Sequence, residues 1–202
     1  MSEKNNQHSL FSDLEDKKRR ICEASIEIFK EKSFNKTTVS EIASEAGVGK
    51  GTFYLYFNSK IMLLDFLLER GTEELIDKVK CEIEKGESPE QKLHFGIEAQ
   101  LEFFYNHLDF FDFYIREIWS HREGLREQIH KLREKYIVIY IDILKEGIES
   151  GEFCEVDSKT ISSGLFGMMS SASFHWLLFS DEFPLSTVED SIKKVFFEGI
   201  LN

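Results

Sequence analysis

The sequence predicts an all-α protein of about nine helices, and three observations carry that expectation. Apolar residues recur at three- and four-residue spacing along most of the chain, as in Leu93, Ile97, Leu101 and Phe104. Only two prolines, Pro89 and Pro184, interrupt the 202 residues, which leaves room for long helices. No stretch carries a convincing strand pattern of alternating apolar and polar residues.

Residues 1–14 are polar and of mixed charge, and a flexible tail is expected there. Residues 16–32 form the first helix, with Ile21, Ala24, Ile28 and Phe29 at helical spacing and Lys17, Lys18, Arg19 and Arg20 at its start. Those four cations read equally well as a solvated turn or as phosphate contacts. Ser33-Phe34-Asn35 ends the helix. Thr38 then N-caps a short one, and Glu41 three residues later makes a capping box. Val39, Ile42 and Ala43 give it an apolar face, and Gly47 can take the positive φ that ends it.

After that turn, Phe53 and Phe57 lie four apart on the buried side of the next helix, and Lys50 and Tyr54 four apart on the other. Two helices this short, joined by a glycine turn, describe a helix-turn-helix at residues 38–57. It cannot bury its own apolar face, so the flanking chain must supply a core. Its outward Lys50, Thr52, Tyr54 and Tyr56 call for a polar, anionic partner.

Asn58-Ser59 stops the second short helix, and a long one runs on to about Lys85. Ser88-Pro89-Glu90 restarts a helix with proline near its first turn. Residues 107–119 are dense in aromatics, and residues 123–149 read as another long helix that Gly151 ends. Two more follow at about 157–180 and 186–201. Residues 161–180 contain no Asp, Glu, Lys or Arg, which is the length of a membrane span. Six serines, two glycines and His175 dilute the run, so a protein-buried helix is expected.

The net charge of −12 first argues against nucleic acid. Its distribution reverses that. Residues 15–60 carry 9 Lys and Arg against 7 Asp and Glu, a local +2, whereas residues 61–202 carry 15 against 28. The acidic portion would repel DNA and help to orient the protein on it. Because the N-terminal portion is only weakly basic, its contacts should be few and well placed. Cys22, Cys81 and Cys154 are odd in number and widely spaced, which reads as reduced thiols. The polar N-terminus lacks the apolar run of a signal peptide, and a cytoplasmic location is expected.

The run AGVGKGTFYLYFNSKIMLL resembles the TetR family of bacterial transcriptional regulators, whose signature is a helix-turn-helix followed by Tyr-x-Tyr-Phe-x-x-Lys. The specific match covers about Lys17 to Phe66, and the rest matches in architecture alone. The resemblance implies a three-helix DNA-binding domain at 15–75 and a larger helical domain at 76–202 that binds an effector and dimerises. It places Lys50, Gly51 and Thr52 near base edges, with Ser40 near the groove. It places Thr38, Tyr54, Tyr56 and Lys60 at phosphates. The chemistry agrees, since lysine can donate to guanine and tyrosine hydroxyls can hold the backbone. Three positions depart from the family pattern: Gly49 for a polar cap, Ser33 for a glycine, and Ile61-Met62 for an acidic pair.

In the larger domain, aromatics and methionines admit two readings. One is an ordinary helical core. The other is an apolar effector cavity lined by Phe104, His107, Phe111, Tyr114, Arg116, Trp119, Tyr136, Tyr140, Phe166, Met169 and His175. His107, Arg116, His121 and His175 could orient a head group there. The pattern ILKEGIESGEF resembles regulators that respond to fatty acids or acyl-CoA. The small residues Ser162, Ser163, Gly164, Gly167, Ser170, Ser171 and Ala172, together with the last helix, resemble the family's two-fold dimer interface, here residues 157–201. Two-fold symmetry suits a palindromic operator.

The expected function is therefore a homodimeric, ligand-responsive DNA-binding regulator, a repressor released from double-stranded operator DNA by an apolar or aromatic effector. No metal, other cofactor or membrane is expected. An enzyme using the cavity would need a catalytic order, and neither a Ser-His-Asp series, metal-ligand spacing nor a phosphate loop can be read. A helical adaptor that binds protein through the helix-turn-helix is the other alternative.

Overall fold

The computed structural model describes residues 10–119, 126–180 and 182–201, and regular structure among them is helical. The elements are α1 (Asp16–Glu31), a 3-10 turn (Phe34–Lys36), α2 (Val39–Glu45), α3 (Lys50–Tyr56) and α4 (Lys60–Ile83). Then come α5 (Pro89–Asn106), α6 (Leu108–Trp119), α7 (Arg126–Glu149), α8 (Ser158–Phe179) and α9 (Leu185–Ile200). Extended pairing among the described residues is confined to one isolated bridge between Phe153 and Leu201. The all-α expectation holds, with nine α-helices among the described residues. No helix among the described residues is long and apolar enough to cross a membrane.

The chain forms two compact units that do not follow chain order. Unit 1 is residues 1–71 with 107–128, and unit 2 is 72–106 with 129–202. Helix α6 therefore packs with the N-terminal helices, and α4 passes from one unit into the other at Gly71–Thr72.

Unit 1 is built around α1, which touches α2, α3 and α6. Its buried side holds Ile21, Cys22, Ala24, Ser25, Ile28 and Phe29. Burial in this apolar setting pushes the Cys22 thiol up to about 12, so it stays protonated. The Phe29 ring stacks on Phe113 of α6 at 5.5 Å, and the Lys30 ammonium pairs with Asp109 at 2.6 Å. Residues 10–14, expected to be mobile, are packed instead. Leu10 and Phe11 are buried, and Arg70 donates to the Leu10 carbonyl and to the Asp13 carboxylate. Two apolar side chains within a polar stretch were enough to anchor it.

In unit 2, α5 packs against both α8 and α9, which also pack on each other. Helix α5 opens on Ser88, whose hydroxyl accepts from Gln91 N, while the Glu152 carboxylate accepts from Glu90 N at 2.8 Å. Helix α8 opens on Asp157, whose carboxylate accepts from Thr160 N. Its small residues thus follow a well-made cap.

Close approach of α6 to α4 depends on Gly71. A Cβ there would lie 1.9 Å from the Phe110 ring, so a methyl group displaces the ring from its place against α4. Gly71→Ala is expected to cost about 1–3 kcal/mol through overpacking. Thermal unfolding should show a midpoint several degrees lower, and Phe110→Leu in the same chain should recover part of the loss.

Candidate nucleic-acid interface and effector site

Helices α2 and α3 form the helix-turn-helix, and each step of its geometry has a local cause. The Thr38 hydroxyl accepts from Glu41 N, and the Glu41 carboxylate accepts from Thr38 N at 2.8 Å, completing the capping box. Lys32 also pairs with Glu41, and these hydrogen bonds hold its carboxyl down at about 2. Gly47 takes φ of 61°, Val48 N donates to Ala43 O, and Gly47 N donates to Ser44 O. That pair of bonds is a Schellman motif, which ends α2 and turns the chain into α3. Gly49 caps α3 without a side chain, as its identity requires.

Phe53 and Phe57 are buried, and their rings sit 5.9 Å apart. This leaves one outward face. Thr38, Ser40, Lys50 and Gly51 are exposed, Thr52 is half-buried, and Tyr54 is 46% exposed. Gly51 has open space where a Cβ would project. Two expected contacts are engaged within the chain. The Tyr56 hydroxyl donates to the Glu15 carboxylate at 2.6 Å, and this hydrogen bond raises the phenol's pKa. The Lys60 ammonium donates to the carbonyls of Phe34 and Thr37, each at 2.5 Å, and sits over the Phe34 ring.

The cations that open α1 serve mostly internal roles. Lys18 lies over the rings of Phe66 and Phe57. Arg19 pairs with Asp16, and Arg20 donates to the Gly47 carbonyl at the helix-turn-helix turn. Sequence reasoning missed Glu15 and Arg20 as partners of the motif. Neither has a local signal, because their partners lie 41 and 27 residues away.

The residues expected to line an effector cavity divide between the two units. In unit 2, Phe104, Tyr136, Tyr140 and Met169 are buried, and the half-buried Phe166 ring lies 5.3 Å from Tyr136. His175 is exposed on α8, beside Phe179. In unit 1, Phe111 and Tyr114 are buried and His107 is half-buried. Arg116 is exposed, pairs with Asp112 at 2.7 Å, and borders a crevice of about 290 Å³ with Phe29, Ser33 and Phe113. The Trp119 side chain and His121 lie outside the described residues.

The centre of unit 2 holds a polar network that sequence reasoning overlooked. Tyr136 donates to Gln100 Oε1, and Tyr140 donates to the Gly96 carbonyl at 3.0 Å. The two hydroxyls are 2.9 Å apart. Burial raises the Tyr140 phenol well above its usual range. A signal was present: Gln100 falls three after Ile97 and four before Phe104, a lone amide within an apolar stripe.

Comparison with known proteins bears on both units. The profile of bacterial regulatory proteins of the tetR family matches residues 21–65, and that of the tetracyclin repressor-like C-terminal domain matches residues 86–178. The chain is 27% identical over 184 residues to the fatty acid metabolism regulator protein of Bacillus subtilis strain 168, covering 91% of this chain and 95% of that one. FadR from Bacillus subtilis, solved in complex with stearoyl-CoA, superposes with a TM-score of 0.82 at 26% identity, over 89% of this chain and 97% of that one. A Clostridium perfringens protein assigned as a fatty acid metabolism regulator gives a TM-score of 0.81 at 34% identity, over 91% and 99%. A capped helix-turn-helix with an exposed polar face, and similarity that runs through both units, place the chain in the TetR family of bacterial transcriptional regulators, as a ligand-responsive DNA-binding protein and not an enzyme.

Proposed function

We propose that the chain is a homodimeric repressor that long-chain acyl-CoA releases from a palindromic operator. The observation that carries the reading is the likeness, through both units, to a regulator solved with stearoyl-CoA. Residues 15–75 would read DNA, and residues 76–202 would take the effector and the second subunit.

Lys50, Gly51 and Thr52 on α3 are assigned to base edges, with Ser40 near the groove. Thr38, Tyr54 and Tyr56 are assigned to phosphates. Lys60 is assigned first to holding the turn before α2, because its ammonium must leave two carbonyls to reach a phosphate. The effector's apolar part is assigned to unit 2, where Phe104, Tyr136, Tyr140, Phe166 and Met169 gather.

The dimer is assigned to the outer faces of α8 and α9. Leu178, Phe179 and Val195 are exposed there, Phe179 by 76%, and a Cβ at Gly164 or Gly167 would meet open space. Exposed apolar side chains beside two glycines suit close packing against a second copy. Effector binding then favours an arrangement of the two recognition helices that no longer matches successive major grooves, separated by about 34–36 Å.

Four measurements test this. A duplex selected from a random library should bind the wild type with a steep negative salt slope, and stearoyl-CoA should release it; undiminished binding at saturating stearoyl-CoA refutes the release mechanism. Lys50→Ala should lose about 1–3 kcal/mol of discrimination between the selected duplex and random DNA. Glu15→Gln should bind the selected duplex severalfold more tightly, since it weakens the carboxylate's competition with phosphate for the Tyr56 hydroxyl. Light scattering at micromolar concentration should give a dimer mass for the wild type and a monomer mass for Val195→Asp.

A further inference from the structure

Besides Thr72 on α4, three polar side chains described in unit 2 are buried with an atom that has no hydrogen-bond partner: Gln100 on α5 through its Nε2, and Ser170 and Ser173 on α8 through their hydroxyls. Gln100 and Ser173 are each 0% exposed. Native interiors leave few such atoms unbonded, because a buried donor without an acceptor loses its water for nothing in return.

Helices α5 and α8 pack on each other, and the Phe166 ring of α8 meets Tyr136, which itself donates to Gln100. Ser170 and Ser173 follow Phe166 by four and seven residues, so they continue the same face of α8. The amide is also oriented. Tyr136 holds its Oε1, so its NH2 group is turned the other way, within the apolar core. Gln100 is thus a donor held in place with nothing to donate to.

Two cations of unit 2 that reach α5 or α8 already have partners. Lys193 pairs with both Glu98 and Glu189, and Arg133 lies over the Phe166 ring. A carboxylate or phosphate seated among these groups would be a buried charge without a counterion. The matching group is an uncharged acceptor with an apolar chain attached.

We propose that Gln100 Nε2, with the Ser173 and Ser170 hydroxyls, seats the thioester carbonyl oxygen of the effector. The inference rests on the acyl-CoA reading above and adds which part of the molecule is recognised and by which atoms. It makes the site selective for an acyl group over an alkyl chain of the same length.

The test is calorimetry on the full chain with stearoyl-CoA and with S-octadecyl-CoA, the thioether that lacks only the carbonyl oxygen. The wild type should bind the thioether about tenfold or more weakly, the usual cost of leaving a buried donor unpaired. Gln100→Leu should bind the two equally, near the wild type's affinity for the thioether. Ser173→Ala, which removes a single unbonded hydroxyl, should narrow the gap and serves if Gln100→Leu does not fold by circular dichroism. Equal wild-type affinity for thioester and thioether overturns the seat while leaving the acyl-CoA reading intact, and would mean that water fills it. A gap that persists unchanged in both variants also overturns it. Binding of neither compound overturns the acyl-CoA reading and the seat together.

Discussion

Helices of seven residues cannot hold themselves, and both α2 and α3 are that short. Their pose is set by what they press against. Ile42, Ala43, Phe53 and Phe57 are buried, α1 packs against both short helices, and Phe66 of α4 meets Phe57. The capping box and the Schellman turn fix the angle between the two helices, and Arg20 secures the turn through the Gly47 carbonyl. Everything outward on α3 inherits its direction from these inward contacts. Substitutions that loosen these contacts would therefore disturb DNA reading without touching a base-facing residue.

The same economy governs charge. A count of nine cations in residues 15–60 suggests an attractive surface, but most are used internally. Lys18 lies on aromatic rings, Arg19 and Lys32 pair with carboxylates, and Arg20 and Lys60 donate to backbone carbonyls. Lys17, Lys36 and Lys50 are exposed. With so few cations facing outward, one subunit neutralises few phosphates, and two subunits in register become the main source of affinity. That raises the leverage of anything that alters their spacing.

Much of the fold was legible because helices announce themselves by period and punctuation. Thr38 with Glu41, Gly47, Ser88-Pro89 and Gly151 placed boundaries within a few residues of those observed. What the sequence hid was long-range. The grouping of α6 with α1 depends on Phe29 meeting Phe113, 84 residues away, and on Gly71 admitting Phe110. The packing of Leu10 and Phe11 was obscured by their polar neighbours. For the effector residues, type and period cannot separate a core aromatic from a lining one, and exposed His175 and Arg116 show the limit of guessing from polarity. Gln100 was the more informative residue, because an amide inside an apolar stripe must be explained.

The position of α6 decides how an effector signal can travel. It belongs in sequence to the larger domain, entered from α5 and left toward α7, yet its face is stacked on α1 in unit 1. The Lys30–Asp109 pair is half-exposed and worth at most about 1 kcal/mol, so the Phe29–Phe113 stack and the Phe110–Gly71 approach are the stronger ties. Helix α6 is thus joined in sequence to helices of unit 2 while it forms part of the wall behind the recognition helix. Helix α4 adds a second covalent path through Gly71–Thr72. By linkage the coupling is reciprocal: whatever factor the effector takes from operator affinity, operator DNA must take from effector affinity. Tight packing of the kind seen between Phe29 and Phe113 resists graded deformation, so the response to an effector is expected to be a shift between two arrangements.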